Sequence, residues 1–288
     1  MDFVAWRKTQ YIISGALVLA SIGMLGIWGL PLGIDFTGGS LMELEFSGSA
    51  PSQQAMRDNL SQIQVGELQI QQTGMEGAIL RRRDVEEETH QQILSALRGL
   101  DSHMVEKRFD SIGPTVGNEL KQKALWALVL VIVMIIAYIA FAFRQVSYPI
   151  SSWKYGVVAV VALIHDVTIP AGLFVYLGKF QGVEINALFI SALLTVLGFS
   201  VHDTIVVFDR IRENLRKRVS AQFEETINIS IGETMIRSIN TSLTLILVLL
   251  TLFFFGGEST KYFSLALLVG TIAGTYSSIF LATPLLVA

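Results

Sequence analysis

The sequence predicts a membrane α-helical protein: six transmembrane helices, with a small α+β domain of ferredoxin-like type outside the membrane between the first and second. Three observations carry this. Of the 288 residues, 52% are hydrophobic and 16% charged, against about 25% charged in soluble domains. Six apolar stretches approach the roughly 20 residues that cross a bilayer core. One polar segment, 32–120, interrupts them after the first and reads as short strands and amphipathic helices. The chain has no cysteine, which excludes disulfides and thiolate metal sites and leaves packing alone to hold the outer domain.

The first span covers 11–30, behind Arg7 and Lys8. Its apolar run is too long for a signal-peptide core and ends in Gly29-Leu-Pro-Leu-Gly33 without an Ala-x-Ala-like site, so it reads as an uncleaved anchor. In the outer segment, Leu41-Met-Glu-Leu-Glu-Phe46 alternates apolar and acidic residues as a half-buried strand does. A helix follows to about Ile63, with Ser49 or Ser52 as its cap. Two strands, from Glu67 and from Gly77, flank the turn at Thr73-Gly74. A second helix runs from Asp84 to Arg98 with acids in its first turn, as the helix dipole favours. A last strand lies near 103–109. The order β-α-β-β-α-β is that of a ferredoxin-like split unit, a fold that by itself decides no function.

The remaining spans are expected at 124–143, 155–177, 187–208, 236–255 and 263–288. The chain thus divides into 1–31 (N-terminus and first span), 32–120 (outer domain) and 121–288 (five-helix bundle), with a cytoplasmic loop near 209–235. Arg7, Lys8, Arg144, Lys154 and the cluster Arg210, Arg212, Arg216, Lys217 and Arg218 fall on one side of the membrane, while the two short opposite loops offer only Lys179 and Lys261. The positive-inside rule then puts both termini in the cytoplasm. Asp209–Arg218 reads as a solvated hinge, and Phe223, Ile227 and Ile231 as one face of a short helix along the inner membrane surface.

Two charges stand where hydrocarbon is expected. Asp203 lies about five residues inside the fourth span, roughly 7–8 Å deep at 1.5 Å per residue. Arg237 opens the fifth. An ionisable side chain in a span costs roughly 2.5–3.5 kcal/mol on insertion scales, so the pair suggests an ion pathway. An acid that alternately meets and leaves a guanidinium can take up and release a proton near neutral pH. The bland alternatives are that Asp203 only hydrogen-bonds for helix packing and that Arg237 snorkels to the interface. His202, His165-Asp166 (about 15 Å deep in the third span) and Thr241 are candidates for a relay, with helix packing as the alternative role. The repeated His-Asp also admits a zinc or iron site and an intramembrane hydrolase. His-Glu-x-x-His is absent, however, and neighbouring helical residues diverge by about 100°, so no metal is expected. Small residues at Gly270, Gly274 and Ser278 share one helical face and predict close packing against another span, in this chain or in a partner. No Gly-Lys-Ser/Thr loop or basic nucleic-acid patch occurs, so neither ATP nor nucleic acid is expected, and no cofactor.

Three segments carry a family resemblance. Gly33-Ile-Asp-Phe-Thr-Gly-Gly-Ser40, Ser111-Ile-Gly-Pro-Thr-Val-Gly117 and Leu197-Gly-Phe-Ser-Val-His-Asp-Thr-Ile-Val-Val-Phe-Asp-Arg-Ile-Arg-Glu-Asn214 resemble, in order and spacing, signatures of the SecF family. SecF is the smaller membrane subunit of the bacterial SecD–SecF export complex, akin to the resistance-nodulation-division transporters. The resemblance implies a multi-pass protein of the bacterial inner membrane, surrounded by lipid, that pairs with a SecD-like subunit beside the SecYEG channel. It also implies a non-enzymatic role: proton passage helps draw a preprotein outward. The family's acid of the fourth span falls on Asp203 and its base of the fifth on Arg237. One departure is His202, where many relatives carry Asn. The competing reading from another class is a proton-driven half-transporter that exports lipids or small molecules. The roughly 90-residue outer segment leaves it little room for a substrate tunnel.

Overall fold

The computed structural model describes residues 3–61, 63, 68–82, 87–144 and 151–287. The chain separates into two compact units: Leu32–Leu125, and Met1–Pro31 together with Trp126–Ala288. Among the described residues, six helices are long and apolar enough to cross a membrane.

In the Leu32–Leu125 unit, a short helix α2 (Ile34–Thr37) leads into β1 (Gly39–Glu45). Then come α3 (Gln53–Leu60), β2 (Leu68–Thr73), β3 (Gly77–Arg82), α4 (Glu87–Arg98) and β4 (Val105–Ile112). The four strands form one antiparallel sheet in the order β2-β3-β1-β4, with a bulge in β4 at Lys107, opposite Glu43/Leu44. Ser52 rather than Ser49 caps α3, its hydroxyl accepting from the Ala55 amide at 3.2 Å. The expected starts of a strand at Glu67 and of a helix at Asp84 lie outside the described residues. The core follows from the strand period. Met42, Leu44, Ile70, Ala78 and Leu80 turn one sheet face inward against Met56 and Leu60 of α3 and Ile93, Leu94 and Leu97 of α4.

The double glycine has a specific cause. Gly38 and Gly39 take φ values of +73° and +131°, which L side chains rarely adopt. A Cβ on Gly38 would also come within 2.7 Å of Pro114 Cα, and one on Gly117 within 2.7 Å of Gly38 N. The segments 33–40 and 111–117 therefore meet backbone to backbone. β4 runs on to Ile112, past the expected end near 109, because it pairs with β1 as far as Gly39.

The other unit holds α1 (Arg7–Trp28), α5 (Pro114–Ala142) from Trp126 on, α6 (Ser152–Gln181), α7 (Ala187–Lys217), α8 (Phe223–Phe255) and α9 (Glu258–Ser277). A π-helical turn (Ser278–Ala282) and α10 (Thr283–Leu285) follow. The helices α6, α7 and α9 are the central ones; α1, α5 and α8 expose most of their surface. Glycines set the close approaches: a Cβ on Gly172 of α6 would meet Ser21 of α1, and one on Gly270 or Gly274 of α9 would meet Val196 or Ser200 of α7. The small-residue face of α9 thus finds its neighbour within this chain.

The segment 209–235, read from sequence as a hinge and a separate surface helix, is helical on both flanks and only residues 218–222 turn. α7 continues through Asp209 to Lys217, where Ile211 and Asn214 are buried, and Phe223 opens α8 itself. The reason is burial: Ile227 and Ile231 pack into the same cluster as Phe208 and Ile211, so the two helices extend together as a hairpin.

Candidate functional site

Four spans each carry small hydroxyl or acidic side chains at one level of the bundle. A polar group in an apolar surrounding costs free energy unless it is bonded, so such groups seek one another. On α6, Asp166 is fully buried and accepts three hydrogen bonds. They come from His165 Nδ1 at 2.8 Å on its own helix, from Ser277 Oγ at 2.8 Å on α9, and from Ser200 Oγ on α7. Asp166 thereby ties three spans together. Gly274 lets α9 lie against the part of α7 that carries Ser200.

Asp203, one turn further along α7, is differently held. It is 8% exposed, and its Oδ1 accepts from Ser238 Oγ of α8 at 2.5 Å. Its Oδ2 is enclosed and has no hydrogen-bond partner. Around it, Thr204 meets Ser278 at 3.2 Å, and Ser242 meets Thr275 at 2.6 Å. The polar layer is therefore stitched between α6, α7, α8 and α9, with one oxygen left over.

The π-helical turn lies at this layer. Pro284 lacks an N–H and its ring would clash with a carbonyl four residues back in a regular helix. The backbone widens ahead of it, and Thr283 Oγ1 donates to Ser278 O at 2.7 Å, five residues back. π-turns inside helices are frequent at functional sites; this one begins at Ser278, beside the Ser277 that binds Asp166.

Of the six residues singled out from sequence, His165, Asp166 and Asp203 meet in this layer. His202, Arg237 and Thr241 are exposed on the outside of the bundle. Among the described residues no ion pair joins Arg237 to Asp203; the α8 residue that meets the acid is Ser238. Successive helical residues point about 100° apart, so Arg237 and Ser238 cannot share that direction. Thr241 donates to the carbonyl of Arg237 at 2.9 Å. His165 Nε2 is buried without a partner. Ser200, Ser238 and Ser277 escaped sequence reading because lone serines in spans are common. The signal that could have found Ser238 is periodic: Thr226, Ser230, Thr234, Ser238 and Ser242 recur every fourth residue, and all are buried.

Comparison with known proteins agrees with this architecture. Residues 92–288 match the family described as protein export membrane protein SecD/SecF, C-terminal, and residues 25–50 match the SecD/SecF GG motif. The chain is 43% identical to the protein translocase subunit SecF of Thermobaculum terrenum, covering 100% of this chain and 93% of that protein. It is 34% identical to that of Helicobacter pylori, covering 98% and 85%. Among solved structures it is similar to the crystal structure of SecDF, a translocon-associated membrane protein from Thermus thermophilus, with a TM-score of 0.86 and 30% identity. A second SecDF structure, in a super-membrane-facing form, gives a TM-score of 0.70 at 29% identity. The whole chain is covered in both cases, but it spans 38% of the SecDF chain. By its full-length relatives and its family match, this chain belongs to the SecF branch of the SecD/SecF protein-export membrane proteins.

Proposed function

We propose that the chain is an accessory subunit of the Sec translocase that couples proton movement through its spans to preprotein export. In this reading it acts with a SecD-type subunit, beside the SecYEG channel. Both termini face the cytoplasm, as the loop cations favour, and the four-stranded unit lies on the opposite side as a ferredoxin-like domain. Its strand order and two helices on one sheet face support that class.

One observation carries the proton reading: within a bonded polar layer, Asp203 alone of the two acids keeps an enclosed oxygen without a partner. Asp166, with three donors on it, is suited to fixing α6, α7 and α9. Asp203, bonded by the Ser238 hydroxyl with that of Ser278 beside it, can change protonation while breaking little. Arg237, His202 and Thr241 on the outer surface are available to a partner's spans, so a pathway along the seam between the subunits would use them from that side. The export of small molecules lacks a comparable observation.

Asp203→Asn keeps the shape and the bond to Ser238 but cannot titrate. It is expected to assemble normally and to lose proton-dependent stimulation of preprotein translocation in inverted membrane vesicles. Translocation near wild type, with the proton gradient as the sole energy source, would overturn the assignment.

A further inference from the structure

The buried hydroxyls of α8 form a single row. Thr226, Ser230, Thr234, Ser238 and Ser242 are each 0–6% exposed and spaced by four residues, so the row advances about 6 Å per step and about 24 Å in all. Buried positions on a helix face ordinarily hold Leu or Ile.

The bonding along the row has a polarity. Thr226, Ser230, Thr234 and Ser242 donate to the carbonyls of Gln222, Thr226, Ser230 and Ser238, at 3.1, 2.7, 2.9 and 2.6 Å. Each donor is satisfied on its own helix, while the oxygen keeps capacity to accept. Ser238 departs from this: its hydroxyl leaves the helix and donates to Asp203. At Ser238 the row therefore meets an acid that keeps an enclosed, unpartnered oxygen. Toward the turn between α7 and α8, Ser230 accepts from Asn214 Nδ2 at 3.0 Å. That amide also donates to Glu233 Oε2 at 2.7 Å, and Arg210 Nε donates to the same oxygen at 2.7 Å. There the row meets a charged, partly exposed network. Packing alone explains the back-bonded hydroxyls, since such bonds are common in spans. It does not explain why Ser238, alone of the row, turns from its helix to an acid.

We infer that the row Thr226–Ser230–Thr234–Ser238 is the proton route between Asp203 and the end of the bundle where α7 and α8 turn. Two hydrogen bonds through one water span about 5.6 Å, which matches the ~6 Å rise between successive hydroxyls. One water per step would complete a wire, and Ser238 would hand the proton to or from the carboxyl oxygen it touches. The inference rests on the proton reading of Asp203, and the test separates the two.

The full chain with its SecD-type partner is reconstituted in liposomes enclosing a pH dye, and proton flux is read under an imposed gradient. Thr234→Val keeps the shape but removes the hydroxyl; its flux is expected to fall at least about tenfold. Thr234→Ser should restore most of it. Thr251→Val removes a similar back-bond, to Leu247 O at 2.9 Å, from an exposed position of the same helix, and should leave flux unchanged. Thermal melts of each variant exclude misfolding as the cause. If Asp203→Asn abolishes flux but Thr234→Val keeps it, the row is not the route and the proton reading stands. If Asp203→Asn itself conducts normally, both fall. A loss in Thr234→Val that Ser does not restore, or one equalled by Thr251→Val, assigns the row to packing and overturns the inference.

Discussion

Replacing Asp166 by Ala removes the acceptor of three hydrogen bonds that arrive from three helices, and the structure fixes what each donor can do next. Ser277 Oγ already lies 3.0 Å from Gly274 O and has a fallback. Ser200 and His165 lose the acceptor on which they converge. Hydrogen bonds inside a membrane protein average about 0.6 kcal/mol and reach about 1.7, and a carboxylate acceptor shifts them to the upper part of that range. Two stranded donors and one weakened one therefore amount to about 2–4 kcal/mol. Asp203→Ala strands only Ser238, which can turn back to the carbonyl of Thr234 as its neighbours in the row do; about 1 kcal/mol or less is expected. The ratio of the two losses, at least twofold, is the discriminating quantity.

Reversible unfolding of the full chain in mixed micelles, titrated with a denaturing detergent, measures both variants on one scale. A double-mutant cycle of Asp166→Ala with Ser200→Ala then isolates the α6–α7 bond; coupling of about 0.5 kcal/mol or more is expected for contacting residues. Equal losses for the two aspartates, or strict additivity in the cycle, would refute the division of labour in which Asp166 holds the helices and Asp203 titrates.

Gly270→Ala would put a Cβ 2.3 Å from Val196 Cγ2, and the overpacking should cost about 1–3 kcal/mol. Val196→Ala in the same chain should recover most of it, while Gly156→Ala, with nothing within 4 Å, should not lower the melting temperature. In the four-stranded unit, the Ser47 amide (2.7 Å), the His103 amide (2.9 Å) and the Ser47 hydroxyl all donate to Asp101. These bonds, that of the Ser47 amide foremost, hold its carboxyl below the usual carboxylate range. A folded-state pKa below the unfolded one adds stability above about pH 4 that is lost as pH falls through the folded value. Melting curves taken from pH 7 down to pH 3 should therefore fall less steeply in Asp101→Asn, and parallel curves would contradict this. Arg237→Lys retains charge and reach but loses the planar fork; translocation should drop with membrane insertion intact, and full activity would favour simple snorkelling.

The sequence alone determined whatever depends on local chemistry or on solvent. Apolar length located the six spans, because a bilayer core accepts only helices of about that length. The alternation at Leu41–Phe46 and the acids at Glu87 and Glu88 located strands and a helix start, because side-chain period and helix dipole act over a few residues. Asp203 and Asp166 stood out because a carboxyl among leucines needs a reason. Pairing was not legible. Arg237 and Ser238 are neighbours in sequence, and only the rotation of α8 against α7 decides that the serine meets Asp203 while the arginine faces outward. Ile227 and Ile231, whose packing partners lie on other helices, hold α8 in that rotation. The hinge expected at 209–218 failed for the same reason. Its charges describe one face of α7, while Ile211 and Asn214 on the other are buried by α8, a contact that exists only once the two helices have met.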